Sequence, residues 1–230
     1  MEAVLAGKPE STLNDDFLDR LYDDIYEETQ QGWAEPDTYR VLQISDWHID
    51  LYYTEGAVKE DCGDVICCGL SNGMAENPED GARRYGEVGE CDLPPESAEQ
   101  QLVWLRDNLE GTAQPDIILW TGDSVSHQML EISQADVYRT IEVLTDMVEK
   151  YFPATPIVVS IGNHDFDPAN YQSFKEANSE FLENLSRIWK RSFLGQEEAL
   201  DKFREFGYFA VDAPSKVAGK APLRIISINT

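Results

Sequence analysis

Tyr39-Arg40-Val41-Leu42-Gln43-Ile44-Ser45-Asp46-Trp47-His48 is an apolar, β-rich run that ends in a polar turn bearing a carboxylate and an imidazole. The pattern recurs twice. Asp116 to Trp120 leads into Thr121-Gly122-Asp123, and Ile157 to Ile161 leads into Gly162-Asn163-His164-Asp165. The stretches between are long enough for crossover helices, so the three runs read as strands of one parallel sheet. Their polar turns then gather at its C-terminal edge, where open α/β sheets bind ligands. The fold class expected is α/β, with helices layered on the sheet.

Working outward, 230 residues at 42% hydrophobic suffice for one good-sized core plus an appendage. Residues 1–38 hold 11 acidic side chains against Lys8 and Arg20, with weak amphipathic character at Phe17, Leu18, Leu21, Tyr22 and Ile25. They read as an acidic extension or linker, and Pro36-Asp37 marks the boundary before a single domain over 39–230. A formal charge of −26 argues against a nucleic-acid partner, since phosphate binding needs a positive surface. So many carboxylates would suit an acidic compartment, although an ordinary acidic soluble protein has the same composition. No apolar run reaches the length of a spanning helix, and the N-terminus lacks a signal-peptide pattern. A monomer is expected.

Cys62, Cys67, Cys68 and Cys91 all fall in the weakly periodic, Gly- and Pro-broken stretch from Asp50 to Pro95. A loop of this length in a compact domain is functional or cross-linked. Four cysteines allow three pairings, and adjacent cysteines suit tetrahedral zinc poorly, so two disulfides and an oxidising compartment are the favoured reading. Asn184-Leu185-Ser186 is a glycosylation sequon on an expected helix surface. Helices are expected from Pro94-Pro95-Glu96-Ser97 to Gly111, with Leu102, Val103, Leu105 and Leu109 inward, and from Gln134 to Tyr151 on Val137, Ile141, Leu144 and Val148. Two more are expected over Tyr171 to Arg191 and Glu197 to Phe206, before a hairpin of Tyr208 to Val211 with Leu223 to Asn229.

Asp46 and His48 offer a hard carboxylate and a neutral imidazole on one turn, a set suited to zinc, iron or manganese. Asp123 could bridge two ions about 3.5–4 Å apart, with Gly122 permitting close approach of the backbone. Asn163 offers an amide oxygen, His164 is free to face substrate, and Asp165 is expected to accept the second N–H of the His164 ring. Taken singly, Asp46 and Asn163 are ordinary turn formers or helix caps, and His48 an ordinary structural imidazole. Three such turns at three strand ends, holding two of the three histidines, point instead to a metal centre. His127, four residues past Asp123, is a candidate proton donor or phosphate contact, or a plain loop histidine.

Asp46-x-His48, Gly122-Asp123 and Gly162-Asn163-His164-Asp165 resemble the first three blocks of the calcineurin-like metallophosphoesterase superfamily. Within it, Asp61-Cys62-Gly63-Asp64-Val65-Ile66-Cys67-Cys68, Cys91-Asp92-Leu93-Pro94 and Gly122-Asp123 with His127 are similar to the acid sphingomyelinase family, over about residues 39–230. The resemblance implies a β-sandwich flanked by helices and two zinc ions. Asp46 and His48 would hold the first ion, Asp123 would bridge, and Asn163 would hold the second. His164 and His127 would contact the phosphate and protonate the departing alkoxide. The implied pairing is Cys62 with Cys67 and Cys68 with Cys91, and the implied reaction splits sphingomyelin into ceramide and phosphocholine at a membrane surface, in a secreted or lysosomal setting. The family's later Gly-His and Gly-His-x-His blocks have no counterpart, since the only histidines are 48, 127 and 164. The fold is therefore expected to be incomplete at its C-terminus, an N-terminal part of the catalytic domain with weak metal binding alone. A relative acting on nucleotides or other small phosphodiesters, or a non-catalytic remnant, are the competing readings.

Overall fold

The computed structural model describes residues 39–109, 114–128, 132–174, 179–213 and 222–229. The acidic extension over 1–38 lies outside them. Three short strands, β1 (Val41–Ile44), β2 (Ile117–Trp120) and β3 (Ile157–Val159), form a parallel sheet in that order. The register sets Ile44 opposite Trp120 and Trp120 opposite Val159, so all three strands finish level and their polar turns leave from one edge. The middle strand is buried almost throughout and β3 completely, which is why both read as continuous apolar runs.

The crossovers are helical as their periodicity requires. The first carries α1 (Pro95–Asn108) and the second α2 (Gln134–Tyr151). Pro94 and Pro95 open α1, where a missing N–H costs nothing. A capping box starts α2: Ser133 Oγ accepts from Asp136 N, and the Asp136 carboxylate accepts from Ser133 N. Val137, Ile141, Leu144 and Val148 are fully buried along its inner face. Beyond β3 come α3 (Glu180–Ile188), α4 (Glu197–Phe206) and the antiparallel pair β4 (Phe209–Ala213) with β5 (Leu223–Ser227). Ser227 Oγ donates to Val159 O at 2.7 Å, tying β5 to β3. These described elements are of the α/β class expected.

The long third helix does not form. Residues 171–174 are irregular, and α3 begins only after Ser179, whose hydroxyl accepts from Leu182 N. It stops at Trp189, passing into a 3-10 turn over Lys190–Phe193. Phe174, expected on its apolar face, instead packs its ring against Phe166 and Phe181 from outside the helix. The expected end of α1 at Gly111 falls outside the described residues. The sequon is less superficial than a helix surface suggests: Leu185 and Ser186 are buried, and Ser186 Oγ donates to Glu183 O.

The stretch from 50 to 95 is a cross-linked loop. Cys62 bonds Cys67 and Cys68 bonds Cys91, the pairing implied by the resemblance, with Cys67 and Cys68 wholly buried. Isolated bridges Tyr53 to Gly69, Ala57 to Met74 and Val58 to Gly81 and two 3-10 turns, Leu70–Asn72 and Pro78–Asp80, add to its order. Closing a separation of 23 residues removes about 3 kcal/mol of unfolded-state entropy. Replacing both Cys68 and Cys91 by Ser is therefore expected to lower stability in urea denaturation by about that amount, and an unchanged midpoint would show the loop to be held by its backbone bridges alone.

Candidate metal centre

At the level sheet edge the strands pass hydrogen bonds on to the turns. Asp46 N donates to Gly122 O, His48 N to Asp123 O, and Ile49 N to Ser124 O. Asp46, His48 and Asp123 all take left-handed backbone conformations, with φ of 54°, 41° and 53°. Such conformations are costly for residues with a Cβ and gather at functional turns. Gly122 and Gly162 pack back to back. A Cβ on either would collide with the other turn's backbone, at Gly162 N in one case and Asp123 N in the other. Alanine at either position pushes the two turns apart.

Three of the four donors that sequence spacing suggested, Asp46, His48 and Asp123, come together. One ligand atom each from Asp46, His48 and Asp123 lies within 4.8 Å of the others. The Asp46 carboxylate accepts from Ser45 Oγ, itself held by Thr121 Oγ1 at 2.7 Å. His48 Nδ1 faces Val125 O at 2.9 Å, so Nδ1 carries the proton and Nε2 keeps its lone pair. That tautomer is the one a metal ligand needs. Asn163 Nδ2 donates to Asn170 Oδ1 at 2.9 Å, which leaves Oδ1 as the outward acceptor. The carboxylates of Asp46 and Asp123 and the His48 imidazole nitrogen fit a divalent ion of the zinc, iron or manganese kind.

His48, His127 and His164 form a cluster with ring centroids 3.9 to 5.1 Å apart, His48 and His127 stacked and His164 edge-on to both. Burial and the two neighbouring imidazoles hold the His164 pKa below its ordinary value, favouring the neutral ring. His164 Nδ1 is buried with no hydrogen-bond partner among the described residues.

Asp165 does not hold that ring. Its carboxylate is fully buried and accepts three backbone N–H groups instead, from Gly162 at 2.7 Å, Ser124 at 2.8 Å and Asp123 at 3.1 Å. Burial pushes its pKa up, and the N–H donors pull the other way. The reason is chain geometry. The Gly162 turn folds back on itself, so Asp165 points inward beneath the loop while His164 points across the edge.

Asp92, within Cys91-Asp92-Leu93-Pro94, has a place in the site that its sequence position did not suggest. Its carboxylate accepts from His127 N at 2.6 Å and from His127 Nδ1 at 2.9 Å, fixing both the loop and the ring. His127 Nε2 has no hydrogen-bond partner among the described residues. The available signal was an aspartate beside a disulfide cysteine in a chain with so few histidines.

An imidazole cluster beside converging carboxylates, at the C-terminal edge of a parallel sheet, makes a candidate metal centre. Residues 39–218 match the calcineurin-like phosphoesterase family model, and the chain belongs to that family. It is 33% identical over 196 residues to human sphingomyelin phosphodiesterase, covering 83% of this chain and 29% of the relative. Sphingomyelin phosphodiesterase A of Dictyostelium discoideum is 33% identical over 195 residues, with the same shares, 83% and 29%. An endopolyphosphatase of Schizosaccharomyces pombe is 29% identical over 201 residues, 83% of this chain and 32% of its own length. The chain thus spans about a third or less of the length of these relatives.

Two residues after His48, Asp50 is a buried carboxyl whose pKa is raised to about 6, chiefly by burial and further by Asp92, against the N–H of Tyr52. The unfolded group titrates near 3.8, so wild-type stability from this residue is intact below that pH and falls as pH rises through about 6. Asp50→Asn keeps the acceptor oxygen without the charge. It is expected to match wild type near pH 4 and exceed it near pH 8, by at most about 3 kcal/mol, in denaturant titrations at the two pH values; a constant difference would contradict the burial argument.

Proposed function

We propose that the protein is a two-zinc phosphodiesterase acting on sphingomyelin-type lipids, releasing ceramide and a phosphorylated head group. The observation that carries the reading is His127 and His164 standing over the Asp46–His48–Asp123 set, each with chemistry left to do. Asp46 and His48 would hold the first ion, Asp123 would bridge, and Asn163 would hold the second. A zinc pair there would lower the pKa of water to about 7, supplying a nucleophile, and offset charge on the phosphoryl oxygens. His127, oriented by Asp92, would give a proton to the leaving alkoxide. His164, kept neutral, would donate a hydrogen bond to a phosphoryl oxygen. Asp165 would fix the turns that carry Asp123 and Asn163.

The similarity to two sphingomyelin phosphodiesterases supports the lipid substrate over nucleotides, and the paired cysteines support a secreted or lysosomal location. Contact with a membrane surface follows from such a substrate, as does the absence of a nucleic-acid partner from the charge. Asn184 remains the glycan acceptor proposed. Residues 39–230 form the catalytic portion and 1–38 an acidic extension. The later histidine blocks that the family resemblance implies would complete the two zinc shells, so turnover is proposed for a protein that carries them.

Zinc titration of the 230-residue chain by calorimetry is expected to give one ion per chain, with affinity lost in His48→Ala and Asp123→Ala and weakened roughly 10–100-fold in Asp165→Asn. Unchanged binding in the first two would overturn the assignment. In the protein carrying the remaining ligands, His127→Ala is expected to lower kcat on sphingomyelin by a factor on the order of 100 and Asp92→Asn by less, both with KM near wild type. Unchanged turnover in His127→Ala would return that residue to the role of a loop histidine.

A further inference from the structure

The turn after β3 is closed on itself by one residue that none of the steps above uses. Seven positions past Asn163, Asn170 meets it twice: Asn170 N donates to Asn163 O at 2.9 Å, and Asn163 Nδ2 donates to Asn170 Oδ1 at 2.9 Å. The chain between them is pinned from inside. Phe166 is buried against Phe174 and Phe181, Ala169 is buried as well, and Asp167 N donates to Gln134 Oε1 at the start of α2. The Asp165 carboxylate holds the other end of the turn through Gly162 N. Asn170 therefore reaches Asn163 from a fixed base.

The residue type is specific to the task. Asn170 has a φ of 68°, in the left-handed region, which asparagine tolerates better than most residues with a Cβ. Glycine would keep that backbone but bring no acceptor, and alanine would strain it and bring none either. Asparagine supplies the conformation and a neutral acceptor together. The consequence falls on Asn163, whose exposed carboxamide carries a donor end and an acceptor end of nearly equal size. A divalent ion takes only the oxygen. With Nδ2 bound to Asn170, the oxygen is the end left over. A carboxylate, which accepts and cannot donate, would impose the same sense, so aspartate is the conservative replacement.

We infer that Asn170 is a positioning residue, which sets the Asn163 carboxamide with its nitrogen toward Asn170 and its oxygen free for an ion. The inference rests on the metal role proposed for Asn163, whereas the clamp itself forms without metal. Outer hydrogen-bond partners of this kind orient a ligand, and their loss is felt as metal affinity.

Two arms separate the clamp from the ligand. In the metal-free 230-residue chain, heteronuclear NMR of a nitrogen-labelled sample follows the Asn163 side-chain amide. It is expected to show the shifts of a hydrogen-bonded amide in wild type and Asn170→Asp, and those of a free amide in Asn170→Gly. The backbone N–H at position 170 stays protected from exchange in all three. In the protein carrying the remaining ligands, calorimetry reads the two ions separately. Asn170→Gly is expected to weaken the second ion roughly tenfold and to leave the first, held by Asp46 and His48, at wild-type affinity. Asn170→Asp keeps the second ion, and Asn163→Ala loses it. A free-amide spectrum in wild type overturns the inference, as does wild-type affinity in Asn170→Gly while Asn163→Ala loses the second ion; both leave the Asn163 assignment standing. Equal loss of both ions in Asn170→Gly also overturns it, because the residue would then hold the whole turn and not one amide. If Asn163→Ala keeps the second ion, the ligand assignment falls and the positioning role with it, while the clamp seen by NMR stands.

Discussion

One buried carboxylate organises the sheet edge. Asp165 has no cationic partner in its hydrogen bonds and is held by three backbone N–H groups from two different turns. Burying a carboxyl is costly without such donors, and its bonds here form only if the Gly122 and Gly162 turns lie against each other. The glycines make that approach sterically possible and Asp165 makes it favourable. Its consequence is Asp123: with its N–H bound to Asp165, its own Oδ1 accepts from His164 N at 2.9 Å. The centre is thus preorganised through backbone, before any ion contributes.

A second constraint comes from outside the sheet. Asp92 is anchored by the neighbouring Cys68–Cys91 bond and by the exchange of Leu93 with β-bridged Ile49 and with His48 O. It reaches across to His127 on the loop after β2. A loop of more than forty residues could not hold a carboxylate to hydrogen-bonding precision by chain stiffness. The disulfides do so by restricting the loop, and this links an extracellular type of stabilisation to the orientation of one ring.

Strands and donor set were legible because both depend on local pattern. Val41 to Ile44, Ile117 to Trp120 and Ile157 to Val159 are apolar runs with a polar exit, and the parallel register follows from helical crossovers such as α2 with its four buried apolar positions. What failed depended on the direction of a side chain after a turn. Asp165 neighbours His164 in sequence, yet the tight Gly162 turn sends one beneath the loop and the other across the edge. Phe174 keeps its place in the apolar cluster without the helix that periodicity suggested, because aromatic packing needs proximity and not a 3.6-residue repeat. Asp92 was invisible for a related reason: its partner lies 35 residues away, outside the disulfide-bonded loop.

The three imidazoles are distinguished by what their Nδ1 atoms meet. A backbone carbonyl at His48 accepts from Nδ1, which leaves Nε2 as the atom that can face a metal. A carboxylate at His127 fixes orientation and accepts the same N–H, the arrangement that steadies a proton-transferring ring. His164 has neither, and burial beside two other imidazoles disfavours a charge on it. These three surroundings match the proposed division between ligand, acid and phosphate contact.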